Sequence, residues 1–107
     1  MDAEGLLRRM GISGKLKGFP YAVYMIDLVS HKPEALELIT KRLYPETAKY
    51  FGVSAGSVER NLRTLVRACW YRGDRAFMEK VAECNLPYTP TNAAFVDMMA
   101  AYLRRRA

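Results

Sequence analysis

The chain is poor in the residues that most catalytic and metal chemistry depends on. His31 is its only histidine, and Cys69 and Cys84 are its only cysteines. Three such donors fall short of the usual four-ligand zinc site. His31 lies in a loop before Pro33, without the positioned partner that general acid–base work needs. The cysteines sit inside helical patterns rather than as a close pair, which reads as buried, inert thiols. No stretch reaches the roughly 18 apolar residues needed to cross a bilayer. The N-terminal MDAEGLLRRM also lacks the apolar core of a signal peptide. An enzyme, a metal, a cofactor and a membrane partner all drop out, and the expected location is the cytoplasm. Period-2 alternation is missing too, which leaves no convincing strand. Repeats and low-complexity tracts are absent.

What is present is a folded, basic chain. Half of its 107 residues are hydrophobic and 26% are charged, a composition that argues against disorder. Its length suits one domain with its own core. Lysine and arginine number 17 against 11 acidic residues, for a net charge of +6 and a pI near 9.5. A domain with this balance commonly meets a polyanion.

Every long segment carries helical periodicity, so the fold class is all-α, a compact bundle of six to seven short helices. Asp2 caps a first helix over 3–10, which Gly11 ends. After the linker GISGKLKG, Pro20 opens a second helix through Ser30. Its nearly all-apolar run Tyr21 to Ile26 makes it central to the core. Pro33 opens a third, with Leu36, Ile39 and Leu43 on one face, and Tyr44 ends it because the residue before proline is pushed out of the helical region. Pro45 starts the fourth, with Glu46 in its first turn, and Gly52 breaks it. Ser54 caps a fifth helix that runs to Tyr71 and stops at Gly73. Asp74 caps a sixth to Cys84, terminated by Asn85. The segment LPYTPT is a loop, and Thr91 caps the last helix, which ends in Arg104, Arg105 and Arg106.

The stretch 45–71 has the spacing of a helix-turn-helix. Ala48 is small enough for a second helix to pack over it, and Gly52 supplies the left-handed turn that other residues resist. Val58 points back into the angle, and Leu62, Leu65 and Cys69 continue its inward stripe. Phe51 and Val53 flank the turn. On the opposite face Arg60, Arg63 and Arg67 recur at helical spacing, with Glu59 and Thr64 beside them. A short helix across a long basic one is how many small proteins place side chains in the major groove. Arginine forks there meet guanine O6 and N7. Glu59 either accepts from a cytosine amino group or holds an arginine in its reading rotamer. Lys49, on the first motif helix, is the best candidate for a phosphate contact. Basic residues elsewhere fall in three groups: Lys15 with Lys17, Lys41 with Arg42, and the C-terminal arginines. Each is either a solvated charge or a backbone contact. Trp70, Tyr71, Phe77, Phe95 and Tyr102 sit at core spacing rather than interleaved with cations, as a single-strand binder would have them.

Several pieces together resemble a known family, the DNA-binding effector domain of the stage-zero sporulation regulator of endospore-forming Firmicutes. They are Lys17-Gly18 followed by aromatics, ITKRLYPETAKYFGVSAGSVERNLR, Ala68, WYRG at Trp70 to Gly73, and PTNAAF at Pro90 to Phe95. The resemblance implies a six-helix transcription factor that activates and represses. It puts Glu59, Arg60 and Arg63 on base-reading positions, and Thr64 where the family often has a histidine. Ser54 and Ser57 fall near the helix start, where members contact phosphate; Arg67 is placed beside them as a positioning cation by its helical spacing alone, not by the resemblance. It also implies tandem homodimers on neighbouring sites, a contact with the sigma subunit of RNA polymerase, and association with the nucleoid. The family's phosphorylated receiver, over about 100 residues, has no counterpart here. The expectation is therefore one DNA-binding domain over 1–107, without a receiver. The rival reading is a receiver-less interaction module that binds a regulator or a sigma subunit without reading DNA.

Overall fold

Four helices begin at side chains that the sequence marks as caps. In the computed structural model, which describes residues 1–106, Asp2 accepts from the Gly5 N–H at 2.8 Å to start α1 (Ala3–Arg9). Ser54 accepts from Ser57 at 3.0 Å to start α4 (Ala55–Arg72). Asp74 accepts from Phe77 at 3.0 Å to start α5 (Arg75–Ala82). Thr91 accepts from Ala94 at 3.1 Å to start α6 (Asn92–Arg105). Each bond satisfies an N–H that the helix itself leaves unpaired. The other two helices, α2 (Phe19–His31) and α3 (Tyr44–Phe51), carry proline in the first turn instead, where its missing N–H costs nothing. No strand occurs among the described residues.

The core is built on α2 and α6, with the other helices wrapped around them. Ala22, Met25 and Ile26 of α2 and Phe95, Val96, Met99 and Ala100 of α6 are fully enclosed. Leu6 and Leu7 of α1 and Leu62 and Leu65 of α4 close over them. Burying a side chain of this size stabilises the fold by about 1.5–3 kcal/mol. Gly18 lets α2 meet α4: a β-carbon there would collide with the Asn61 carbonyl oxygen.

Three expectations about the backbone need correction. The stretch 33–44 is not one helix ending at Tyr44. It is a 3-10 turn over Pro33–Leu36, a break at Leu38 (φ −119°, ψ 56°) and a wide π turn over Ile39–Leu43. Tyr44 is the first residue of α3, with helical angles (φ −62°, ψ −48°). The Tyr44 N–H reaches back to the Ile39 carbonyl. That extra residue in the turn opens room where the Pro45 ring would otherwise strike the Lys41 carbonyl. The chain therefore absorbs the proline by widening rather than stopping. Leu43 is still buried, and Leu36 and Ile39 pack against the core as expected. Second, the helix after Asp74 ends at Ala82, and Glu83 rather than Asn85 takes the terminating left-handed conformation (φ 58°). Third, Cys84 consequently lies beyond that helix and is exposed, whereas Cys69 is buried as read.

Candidate nucleic-acid interface

The α3–α4 corner turns where the sequence places it. Gly52 adopts φ 68°, ψ 36°, and the Val53 N–H closes the turn onto the Ala48 carbonyl at 3.0 Å. Ala48 is buried beneath α4, and Val58 is completely enclosed in the angle between the helices. Leu62, Leu65 and Cys69 continue that inward stripe with no exposure. Within α3 the buried Thr47 hydroxyl donates to the Leu43 carbonyl at 2.7 Å.

The outer side of α4 is one continuous face. At about 100° per residue, Gly56, Arg60, Arg63, Thr64, Arg67 and Tyr71 fall within an arc of about 100°, and all six are exposed. The structure therefore brings together four predicted residues, Arg60, Arg63, Thr64 and Arg67, with Glu59 at the edge of the arc. Arg63 donates to the Glu59 carboxylate at 3.0 Å. The pair is about half exposed, so it adds little stability, but it fixes the direction of the Arg63 fork. Arg60 and Arg67 form no ion pair among the described residues. The Arg60 guanidinium folds back over Gly56, with Nη1 3.3 Å from where a β-carbon would stand. Thr64 donates its hydroxyl to the Arg60 carbonyl at 3.1 Å.

The first turn of α4 is organised by its own polar groups. Ser57 receives a hydrogen bond from the Asn61 side chain at 3.1 Å, and Ser54 receives one from the Ser57 N–H. Both hydroxyl protons remain available to an outside acceptor. Lys49 is exposed in the last turn of α3.

Tyr71 corrects the sequence reading, which placed it in the core. It is 74% exposed. It stands eight residues after Arg63 and four after Arg67, so its phase on the helix is that of the arginines and not of Cys69. Trp70 is buried as expected, with the Arg75 guanidinium stacked 3.3 Å from its ring centre.

Two functional supports were not singled out as site residues by the sequence. Asn92, at the start of α6, donates to the Tyr44 hydroxyl at 3.1 Å and to the Glu59 carbonyl at 3.2 Å. One side-chain amide thus ties α3, α4 and α6 together directly behind the arginine face. Burial raises the Tyr44 hydroxyl above its ordinary pKa, against the Asn92 bond that lowers it, so the group stays neutral. These partners lie 48 and 33 residues from Asn92 in the chain, beyond the reach of local pattern.

The C-terminal cations are largely committed to the protein itself. Arg104 donates to the Val29 carbonyl at 3.1 Å, and Arg105 pairs with Glu83 at 2.6 Å. Arg106 lies over Tyr102 at 3.8 Å from its ring centre. Among the described residues no helix is long and apolar enough to cross a membrane.

The sequence matches the family model described as sporulation initiation factor Spo0A C terminal over residues 3–103. The match takes in nearly the whole chain, and the chain belongs to that family. The family is the DNA-binding effector domain of the sporulation regulator, so the protein is a DNA-binding regulatory domain and not an enzyme.

Proposed function

We propose, from that family membership, that the chain is a sequence-specific regulator of transcription that reads double-stranded DNA as a single domain. The observation that supports it is the exposed arc of α4, which carries three arginines, two of them without an ion pair among the described residues, on the outer side of a helix-turn-helix. In this reading α4 enters the major groove and α3 braces it across the backbone. Arg60 and Arg63 meet guanine edges. Glu59 orients Arg63 or accepts from cytosine, and Thr64 lies beside the same base edges. Lys49, Ser54, Ser57 and Arg67 position the domain on phosphates, which sets register without reading sequence. Tandem homodimers on neighbouring sites, a sigma-subunit contact and work at the nucleoid in the cytoplasm complete the proposal.

Selection of duplexes from a random-sequence pool, followed by titration of the recovered duplex and a scrambled one at two salt concentrations, tests it. The recovered duplex should bind more tightly, and both should weaken as salt rises. Arg60→Ala or Arg63→Ala should each cost about 1–3 kcal/mol on the recovered duplex and reduce discrimination. Lys49→Ala should weaken both duplexes alike and flatten the salt dependence. Equal affinity for both duplexes would sink the sequence-specific reading. Absence of binding at low salt would leave the interaction module instead.

A further inference from the structure

An open groove runs along the side of α4 that faces the loop before α6. One wall carries Arg63, Arg67 and Tyr71, one helical turn apart in succession, and the other carries Thr89 and Thr91, with Val66 among the lining residues. The one carboxylate that borders it belongs to Glu59 and is already held by Arg63 at 3.0 Å. Beyond that pair, the charge on the groove is the Arg67 guanidinium, which has no ion partner among the described residues. Three of the remaining polar groups have protons to give. Tyr71 presents a phenol from a largely exposed ring. Thr91 accepts from the Ala94 N–H, so its hydroxyl proton points elsewhere. Thr89 is half-buried, and its hydroxyl has no partner among the described residues. A groove with one uncommitted cation, several hydroxyl donors and a neutralised acid suits a singly charged, oxygen-rich strand.

We propose that this groove seats a backbone phosphate of the bound duplex, with Arg67 and Tyr71 gripping it from α4 and Thr89 from the opposite wall. The inference rests on the DNA-binding reading above and extends it. The domain holds the strand on the α6 side of α4 as well as through α3, so the footprint is wider than the helix-turn-helix alone. Because a phosphate is alike in every base pair, the seat adds affinity and register but no sequence preference.

The test uses the whole chain and a fixed mixed-sequence duplex of about two helical turns, titrated between about 50 and 200 mM salt. Arg67→Gln should lower the salt slope by about 0.9 log units, as expected for one phosphate contact removed. Thr89→Val and Tyr71→Phe should each weaken binding about threefold, the loss of one hydrogen bond to a charged acceptor at an open site. Combined with Arg67→Gln, Thr89→Val should cost much less than it does alone, because both act on the same phosphate. Fold-changes that simply multiply, or a Thr89→Val chain with wild-type affinity, overturn the shared seat. Inorganic phosphate supplies the second arm. Displacement of the duplex by phosphate beyond that by chloride at equal ionic strength, lost in Arg67→Gln, supports a strand seat, and phosphate that binds the groove while duplex affinity stays unchanged reassigns the groove to a free anion. A wild-type chain that binds no duplex at the lower salt removes the DNA-binding reading and the seat together. Silent variants in a chain that still binds remove the seat alone.

Discussion

The side-chain amide of Asn92 donates to the main-chain carbonyl of Glu59, 3.2 Å away and 33 residues earlier in the chain. This carbonyl belongs to the turn of α4 whose side chains face the proposed DNA. The same amide holds the buried Tyr44 hydroxyl at the start of α3. Position of the reading helix relative to its bracing helix therefore depends on a residue of neither.

Asn92→Ala should lower stability by about 1–3 kcal/mol, since it leaves the Tyr44 hydroxyl and the Glu59 carbonyl without their partner. A urea melt should show the midpoint fall with little change in slope. DNA affinity should fall with it, because the amide no longer sets α4 against α3. Equal stability in Asn92→Ala and wild type would show that water replaces the amide at no cost.

Gly56 and Arg60 set stability against binding. Gly56 is exposed within α4, and a β-carbon there would press on Arg60 Nη1 at 3.3 Å. The obstacle is the end of a flexible side chain, which can move. Gly56→Ala should thus raise stability by about 0.5–1 kcal/mol through the lower backbone entropy of the unfolded chain. It should also move the Arg60 guanidinium and hold the first turn of α4 away from a phosphate backbone. Melts should show the gain, and titration of the duplex recovered by selection should show weaker binding. A variant that gains stability and binds as tightly as wild type would mean that the backbone of this turn does not approach DNA closely.

Local chemistry made most of this legible in advance. The caps Asp2, Ser54, Asp74 and Thr91 act over three residues, and the left-handed turn at Gly52 acts over one, so a short stretch of sequence contains their whole cause. The inward stripe Val58, Leu62, Leu65 and Cys69 follows from helical phase alone. Three features escaped for three different reasons. Between Pro33 and Tyr44 a general rule about residues before proline was overridden by a π turn that made space for the ring. The ring of Tyr71 suits a core, yet its helical phase, shared with Arg63 and Arg67, puts it outside. Asn92 draws its importance from partners on other helices, and no local signal distinguishes it from an ordinary first-turn residue.

The two cysteines should differ sharply in reactivity. Burial pushes the Cys69 thiol from 9.0 up to about 12, while Cys84 is exposed. Thiolate is the reactive form, so alkylation of the native chain near pH 8 should label Cys84 and spare Cys69 until urea unfolds the protein. The same shift carries a sign for stability. Below pH 9 both folded and unfolded chains keep the Cys69 proton, and the group has no effect. From about pH 9 to 12 the unfolded chain loses that proton and the folded chain keeps it, so the unfolded state binds fewer protons. Stability should then fall as pH rises, by up to about 1.4 kcal/mol per unit from this group. Cys69→Ala should flatten the alkaline decline measured by urea melts, whatever it does to stability at pH 7.

Two glycines test whether conformation or space matters more near the motif. Gly52 has φ 68°, but no atom lies within 4 Å of a β-carbon built there. Gly52→Ala should therefore cost only the strain of a left-handed alanine, about 1–2 kcal/mol. Gly18 has an ordinary φ of −76°, so nothing in its backbone asks for glycine. Its β-carbon would nevertheless run into the Asn61 carbonyl oxygen and crowd the Leu62 N–H, both rigid main-chain atoms of α4. Neither can turn aside as the end of a side chain does. Gly18→Ala must push α2 away from the reading helix, and it should cost more than Gly52→Ala, about 3 kcal/mol or above. Parallel urea melts of the two variants decide the order. If Gly52→Ala proves the more damaging, the tight turn and not the α2–α4 approach is what holds the reading helix in place.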